Sequence, residues 1–406
     1  MILLLGYGIS NKEVAKYLDK NKIEYVIHDD KKDVINENIL NKVTLVIKSP
    51  GVNNDHPLII LASKKNIEII NEIEYAYRIN NKGIIIGLTG SNGKTSTLYY
   101  LYQLLKLGYE DVILIGNNGI PYISAIDKIK DSTIILLELS SFQLMDISTF
   151  KVDIGCILNI TLNHLDYHNS FNEYKLAKYN LLKNNDENTI SIIDNSLDIE
   201  NLKGFLYKFS NKRINGYYYK NNKIYYKNKK IMEYPTNLKM VGEHNKLNLM
   251  IAIIIAMFLG IEKKIIIDNL SNIKGVKYRL EFLKSIGNID IFNDGKSSTP
   301  SSTKTAIECF NNRRIHLILG GKDKNMDYSV IKDYANVIYY AYGEIKDKLK
   351  GFKNINFFEN LTDAYKNINA KNDDVILFSP AATSFDQYTS YLDRCIEFER
   401  LVINDE

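Results

Sequence analysis

The stretch Gly87-Leu-Thr-Gly-Ser-Asn-Gly-Lys-Thr-Ser96 constrains the fold more than any other part of the chain. An apolar run at 84–86 precedes it and a helical pattern at 97–107 follows, so it stands where a strand turns into a helix. Glycines at such a junction let backbone N–H groups close around phosphate oxygens, while a lysine reaches the terminal phosphates and a Thr hydroxyl meets Mg²⁺. Gly90, Ser91, Asn92, Gly93, Lys94, Thr95 and Ser96 are therefore candidate nucleotide-binding residues. The strict pattern G-x-x-x-x-G-K-[ST] is missed by one position, because Gly87 lies six residues before Gly93, with Gly90 between them.

At 406 residues the chain has room for two or three domains. A net charge of +4, with lysines scattered along the sequence, is too mild to indicate a nucleic-acid partner. Three cysteines, Cys156, Cys309 and Cys395, have no C-x-x-C spacing and fit a reducing compartment as buried or idle thiols. The opening Met-Ile-Leu-Leu-Leu is read as a first strand, since it is too short and lacks the basic flank of a signal peptide. Eleven consecutive apolar residues at 249–259 fall short of the roughly twenty that a bilayer span requires, so they are read as a buried helix. A soluble, cytoplasmic protein is expected.

Residues 1–81 alternate short strands, at 2–5, 25–27 and 45–47, with helices such as 11–20, which predicts an α/β unit with a parallel sheet. Gly6-Tyr-Gly8 opens like a dinucleotide fingerprint, but Asn11 stands where the third glycine belongs. Asp29 and Asp30 follow about twenty residues on, as a ribose-binding acid would. These residues alone fit a plain turn as well as a nucleotide-binding one. Ser49-Pro-Gly51 forms a second loop at the same sheet edge.

From 82 a second unit begins. The run at 134–137 ends in Glu138, placed as an acid that reaches a nucleotide's Mg²⁺, and Ser140-Ser-Phe-Gln143 follows. A strand at 156–160 delivers Asn159, Thr161, Asn163, His164, Asp166 and His168, a polar density that core packing does not explain. A helix at 174–182 carries Lys178, and hairpins are expected in the tyrosine-rich stretch 205–235. Asn245 and Asn248, one turn apart, share a face of the helix entering the apolar run. After 277 strands at 289–292, 315–319, 337–342, 355–358 and 375–378 predict a doubly wound domain. Three of its strand ends carry polar loops, 293–299, 320–324 and 379–384, which would converge on one crevice or serve as helix caps.

Taken together these motifs resemble the Mur ligase family, over essentially the whole chain. Its phosphate loop has the form Gly-x-Thr-Gly-Ser-Asn-Gly-Lys-Thr, and Gly116-Asn-Asn-Gly119, Glu138-Leu-Ser-Ser-Phe-Gln143, His164-Leu-Asp166, Lys178 and His244-Asn245 recur in the expected order. Asn293-Asp-Gly-Lys296 and Ser384-Phe-Asp-Gln387, followed by Arg394 and Phe398, resemble the D-glutamate-adding branch. Asn163 replaces the usual acid before the His, Tyr167 the usual Arg, and Gly295-Lys-Ser-Ser-Thr299 the usual Ser-Lys-Ala-Thr-Asn.

The resemblance implies three α/β domains: a Rossmann-like parallel sheet at 1–81 binding the UDP-substrate, a central P-loop ATPase-type domain at 82–276, and a Rossmann-like domain at 277–406 binding the amino acid. It implies an ATP-dependent ligase that adds D-glutamate to UDP-N-acetylmuramoyl-L-alanine through an acyl phosphate, acting as a monomer in peptidoglycan precursor synthesis. Lys94, Glu138, His164 and Lys178 would be catalytic. Thr95 and Glu138 would hold one Mg²⁺, while His164 and Lys178 would serve a second. A protonated lysine cannot ligate Mg²⁺, and the family resolves this by carbamylating the residue at position 178. Asn245, Asn248, Arg279, Asp294 and Lys296 would line the ATP site. Gly8, Ser10, Asp29, Ser49 and Asn117 would touch the UDP-substrate, and Ser298, Lys324, Ser384, Phe385 and Tyr391 the D-glutamate. Rival readings are a sibling ligase adding another amino acid, a folylpolyglutamate synthase-like ligase, a nucleotide-binding regulator without turnover, and a nicotinamide oxidoreductase.

Overall fold

The structure is a computed structural model and describes residues 1–162 and 167–405. Its Ile- and Val-rich runs form three sheets. In the first, β1 (Ile2–Leu5), β2 (Tyr25–His28), β3 (Leu45–Lys48) and β4 (Glu68–Ile70) pair in the order β2-β1-β3-β4, all parallel. Parallel neighbours need crossovers, and α1 (Ile9–Lys20), α2 (Pro57–Lys64) and α3 (Glu72–Ile79) lie between these strands and beyond the last.

The second sheet holds β5 (Ile84–Thr89), β6 (Val112–Gly116), β7 (Ile134–Glu138), β8 (Ile154–Ile157), β9 (Ile190–Asp194), β10 (Phe205–Ser210), β11 (Tyr217–Lys220), β12 (Lys223–Tyr226) and β13 (Lys229–Glu233). Its order is β13-β12-β11-β10-β9-β8-β5-β7-β6, parallel from β6 to β11 and antiparallel beyond. Hairpins were expected throughout 205–235, and β11, β12 and β13 form two of them. Their turns carry positive φ at Asn221 and Asn222 and at Lys227 and Asn228, as tight hairpin turns require. β10 differs, pairing in parallel with both neighbours. The helices of this stretch are α4 (Lys94–Leu105), α5 (Ser141–Met145), α6 (Phe171–Tyr179), α7 (Glu243–Phe258) and α8 (Lys263–Asn269). Residues 249–256 are buried on every side, which accounts for the unbroken apolar run in α7. No described helix is long and apolar enough to cross a membrane.

The third sheet combines β14 (Glu281–Ile286), β15 (Ile289–Asn293), β16 (Ile315–Gly320), β17 (Val337–Tyr342), β18 (Ile355–Phe357) and β19 (Val375–Phe378) in the order β14-β15-β19-β16-β17-β18. Only β14 runs antiparallel, in a hairpin with β15 that was not expected from the sequence. The helices α9 (Pro300–Glu308), α10 (Leu361–Lys366) and α11 (Tyr391–Ile403) complete this part. Thr299 caps α9 through Ser302 N–H, with Pro at the first helical position. Because β15, β19 and β16 are adjacent, their carboxyl-end loops come out side by side.

The chain packs as two compact units, Met1–Tyr234 with Leu247–Asp268, and Pro235–Lys246 with Asn269–Glu406. The first two sheets share one unit because buried polar bonds join them. Glu74 of α3 accepts Ser148 N–H (2.8 Å), Thr149 N–H (2.9 Å), Phe150 N–H (2.9 Å) and the Thr149 hydroxyl (2.6 Å). Fully buried Lys48 pairs with Asp146 at 2.8 Å.

Candidate active site

The phosphate loop turns from β5 into α4 with Gly93 at φ +87°, and a Cβ there would lie 2.7 Å from Asn248 Oδ1. Both the backbone and the space demand glycine. The loop is braced from β8's end by Asn159, whose Oδ1 accepts Asn92 N–H (2.9 Å), whose Nδ2 donates to Asn92 O (3.0 Å), and whose carbonyl accepts Ser91 N–H (2.8 Å). The Ser91 hydroxyl in turn meets the Tyr174 hydroxyl at 2.9 Å and Thr161 O at 3.1 Å.

Glu138 ends β7, the strand beside β5, so its carboxylate arrives next to the loop. Thr95 Oγ1 donates to Glu138 Oε2 at 2.9 Å, and Asn117 Nδ2 donates to Oε1 at 3.2 Å. The sequence-predicted Thr95, Glu138 and Asn117 thus stand together. A hydroxyl and a carboxylate at this distance are hard oxygen donors of the kind Mg²⁺ takes. Past Glu138 the chain starts α5 with a capping box, Ser140 and Gln143, which explains the polar Ser-Ser-Phe-Gln string locally.

Lys94 Nζ donates to Gly90 O (2.8 Å) and Ser91 O (3.3 Å). From the other side, α6 delivers Lys178, whose Nζ donates to Gly90 O (3.0 Å) and reaches Thr89 Oγ1 (3.4 Å). Lys178 is buried over the Tyr174 ring, and burial, with the Lys94 charge adding, lowers its pKa from the ordinary lysine value to about 7. An amine at that value is in part neutral near pH 7, and so nucleophilic. His164 and Asp166, expected beside it, lie outside the described residues. His168 is a packed side chain, stacked on Phe142 and bonded to the Ser141 hydroxyl at 2.9 Å. Tyr167 donates to Val52 O at 2.9 Å.

In the first sheet, Gly8, Ser10, Asp29 and Ser49 gather at the carboxyl ends of β1, β2 and β3. Asn11, the residue that breaks the glycine fingerprint, is fully buried and donates to Leu5 O, Gly6 O and Ile47 O at 3.2, 2.8 and 3.0 Å. It ties two strand ends together where a third glycine would leave space. Asp29 accepts Tyr7 N–H at 3.2 Å, so one of its oxygens shapes the glycine turn. Nearby, Asp30 meets His28 Nε2 (3.0 Å) and His56 Nε2 (3.1 Å), which among the described residues is the one His/Asp group with metal-ligand spacing. His56 Nδ1 accepts Leu58 N–H to cap α2, so its proton is on Nε2 and points at Asp30. That tautomer makes the trio a hydrogen-bonded clamp.

In the second unit, Asp294 follows β15 and is buried, bonded to the Ser379 hydroxyl (2.8 Å) and Leu280 N–H (3.1 Å). Burial raises its pKa to about 6 against these bonds. Lys296 sits over the Tyr391 ring at 5.6 Å. Ser384 is buried, Ser298 half-buried, Lys324 and Phe385 are exposed on the loops of the same sheet edge, and Tyr391 is exposed at the start of α11. Arg279 is exposed beside β14, and Asn245 is held by its own Val241 O bond at 3.0 Å. Sequence reasoning gave no role to the clamp made by Asn159 or to Arg394. Asn159's place just past a buried strand was the available sign; Arg394 gave none beyond lying in a motif.

Comparison with known proteins identifies the family. Residues 88–256 match the Mur ligase middle domain. The UDP-N-acetylmuramoylalanine--D-glutamate ligase of Caldicellulosiruptor bescii is 34% identical over 99% of this chain and 97% of that protein. The Aquifex aeolicus enzyme of the same name is 32% identical over 98% of each. Among solved structures, Thermotoga maritima UDP-N-acetylmuramate-alanine ligase superposes with a TM-score of 0.61 at 19% identity, covering 100% of this chain and 99% of that one. The MurF ligase of the same organism, in complex with ADP, gives 0.58 at 17%, covering 91% of each; both show the shared fold. The chain belongs to the Mur ligase family of ATP-type α/β ligases. Its branch of that family is the UDP-N-acetylmuramoylalanine--D-glutamate ligases.

Proposed function

We propose that this chain joins D-glutamate to UDP-N-acetylmuramoyl-L-alanine with conversion of ATP to ADP and phosphate, a step of peptidoglycan precursor synthesis. The observation that carries the reading is the Thr95–Glu138 hydrogen bond beside a phosphate loop on which Lys94 and Lys178 converge. Domains 1–81, 82–276 and 277–406 take the UDP-substrate, ATP and the amino acid respectively, and the working form is a monomer.

A carboxylate is a poor acyl donor, so the alanyl carboxylate first takes the γ-phosphoryl group of ATP, releasing ADP. The amine of D-glutamate then attacks the acyl carbon; the C–N bond forms, the C–O bond to phosphate breaks, and the amine loses a proton. Charge builds on phosphoryl and then on tetrahedral oxygens, and Lys94 stands at the loop to neutralise it. Thr95 and Glu138 would hold Mg²⁺, which supplies Lewis-acid stabilisation of phosphate charge when bound. Lys178, once carbamylated, would offer carboxylate oxygens with His164 toward a second ion. Asn159 keeps Ser91 and Asn92 in the phosphate-binding shape.

The test is phosphate release from ATP with UDP-N-acetylmuramoyl-L-alanine, offering D-glutamate, L-glutamate, L-lysine and meso-diaminopimelate in turn. Release with D-glutamate alone is expected. Release with another amino acid would move the function to a sibling ligase, with Tyr167 and the 295–299 loop as the first residues to examine.

A further inference from the structure

The loops after β15, β16 and β19 meet on one side chain. Arg394, in the first turn of α11, is fully buried. Its Nη1 donates to Gly320 O at 3.0 Å, and its Nη2 donates to Ala382 O at 3.0 Å and Gly295 O at 3.3 Å. Each carbonyl lies at the carboxyl end of a different strand: Gly320 closes β16, Gly295 follows β15 and Ala382 follows β19. The approach is close: a Cβ on Gly321 would come within 2.9 Å of Arg394 Nη1 and 2.2 Å of Thr383 O. The Phe378 ring lies under the guanidinium, 6.0 Å from ring centre to Cζ.

No carboxylate is among these contacts, so the cation is not buried to complete an ion pair within the described residues. Burying a guanidinium on neutral acceptors alone is costly, and it is retained where its planar fork fixes several groups at once. Further along the three loops stand Ser298, Lys324 and Ser384, one acceptor candidate on each.

We propose that Arg394 is a positioning residue for the amino-acid acceptor, its fork holding the three loops in one register so that their side chains face the same ligand. This rests on the reading above that these loops bind the acceptor. Lysine keeps the charge but replaces a planar fork with a single ammonium, and so separates geometry from charge.

The experiment compares wild type with Arg394→Lys by amide hydrogen exchange without ligands and by steady-state kinetics. Faster exchange is expected in all three loops, 294–299, 321–324 and 379–385, with β16 and β19 still protected. The KM for D-glutamate should rise about tenfold and by more than the KM for ATP, whose site shares Asp294 and Lys296 of the first loop, while kcat stays within about threefold, as loss of neutral but geometry-setting bonds predicts. Should Arg394→Lys fail to fold, Arg394→Gln, which keeps two donors without the charge, is read in the same way. Unchanged loop exchange overturns the proposal, and so does faster exchange with an unchanged acceptor KM. The exchange arm needs no substrate. If wild type takes a different amino acid, the acceptor reading fails visibly in the kinetics, and the KM of that amino acid becomes the one the variant must raise.

Discussion

Lys94 and Lys178 donate to the same atom, the carbonyl oxygen of Gly90, at 2.8 and 3.0 Å. Two ammonium groups on one acceptor repel each other, and the more buried of them yields its proton more easily. That is Lys178, with its pKa brought down to about 7 by burial and by Lys94. A neutral amine can attack CO₂, forming an N–C bond and releasing a proton, and the resulting carbamate turns repulsion toward Lys94 into attraction. We expect ¹³C-bicarbonate to give a carbamate resonance that grows as pH rises through 7 and is missing from Lys178→Ala. That variant should lose ligation by at least about a hundredfold, in line with the loss of a metal-supporting group, with partial rescue by a short carboxylic acid. Full activity in Lys178→Ala would sink the assignment.

Glu138 receives one hydrogen bond from Thr95 and another from Asn117; in the amide the oxygen can still accept from Asn117 while the NH2 donates to the Thr95 hydroxyl, which turns to accept. Glu138→Gln should therefore fold normally and fail chemically. Ligation should fall about a hundredfold or more, with the Mg²⁺ concentration for half-maximal rate displaced upward. An unchanged Mg²⁺ dependence would mean that this acid does not face the metal.

The parts of this site that could be read from sequence are those whose chemistry is local. A glycine-rich turn between a strand and a helix announces itself, and an acid ending a buried strand has few places to go, so Gly93, Lys94, Thr95 and Glu138 were legible. The bonds that shape them were not, because they depend on strand order: Asn159 reaches Asn92 only because β8 lies beside β5. The same holds for Asn11, which looks like a defect in a glycine motif until β3 is seen beside β1. Hairpin expectations over 205–235 succeeded where positive-φ Asn residues mark turns, and failed at β10, which runs parallel to both β9 and β11.

Gly93 offers a sharper test of the loop. Alanine there must adopt φ +87° and press on Asn248, 2.7 Å away, whereas alanine at Gly51 meets nothing within 4 Å. A strained left-handed residue costs on the order of 1–3 kcal/mol. Gly93→Ala is expected to weaken ADP binding at least about tenfold in calorimetry, a factor worth roughly 1.4 kcal/mol. Gly51→Ala should leave ADP binding unchanged. Equal affinity in both variants would contradict the assignment of Gly93 to the nucleotide loop.

Glu72 and Glu74 stand on the same turn of α3 with opposite protonation behaviour. Glu74 is held ionised, its pKa lowered to about 2 by hydrogen bonds from Thr149, Ser148 and Arg78 that outweigh its burial. Glu72 is wholly buried, accepts Ile123 N–H at 2.6 Å, and has its pKa raised to about 7 by desolvation. The folded protein therefore holds a proton on Glu72 that the unfolded chain gives up near the ordinary 4.5. Stability from this group is complete below pH 4.5 and is lost as pH rises through 7, whereas that from Glu74 is complete above pH 4.5 and is lost as pH falls through 2. The Glu72 contribution is on the order of 3 kcal/mol, since one pKa unit corresponds to about 1.4 kcal/mol. Glu72→Gln fixes the neutral form, so thermal melts of the variant should lose less stability than wild type between pH 5 and 8. The gain should appear at pH 8 and vanish near pH 4.5, because only the ionised carboxylate is penalised by burial. Parallel melting curves for the two proteins across that range would show that Glu72 does not titrate in the folded state.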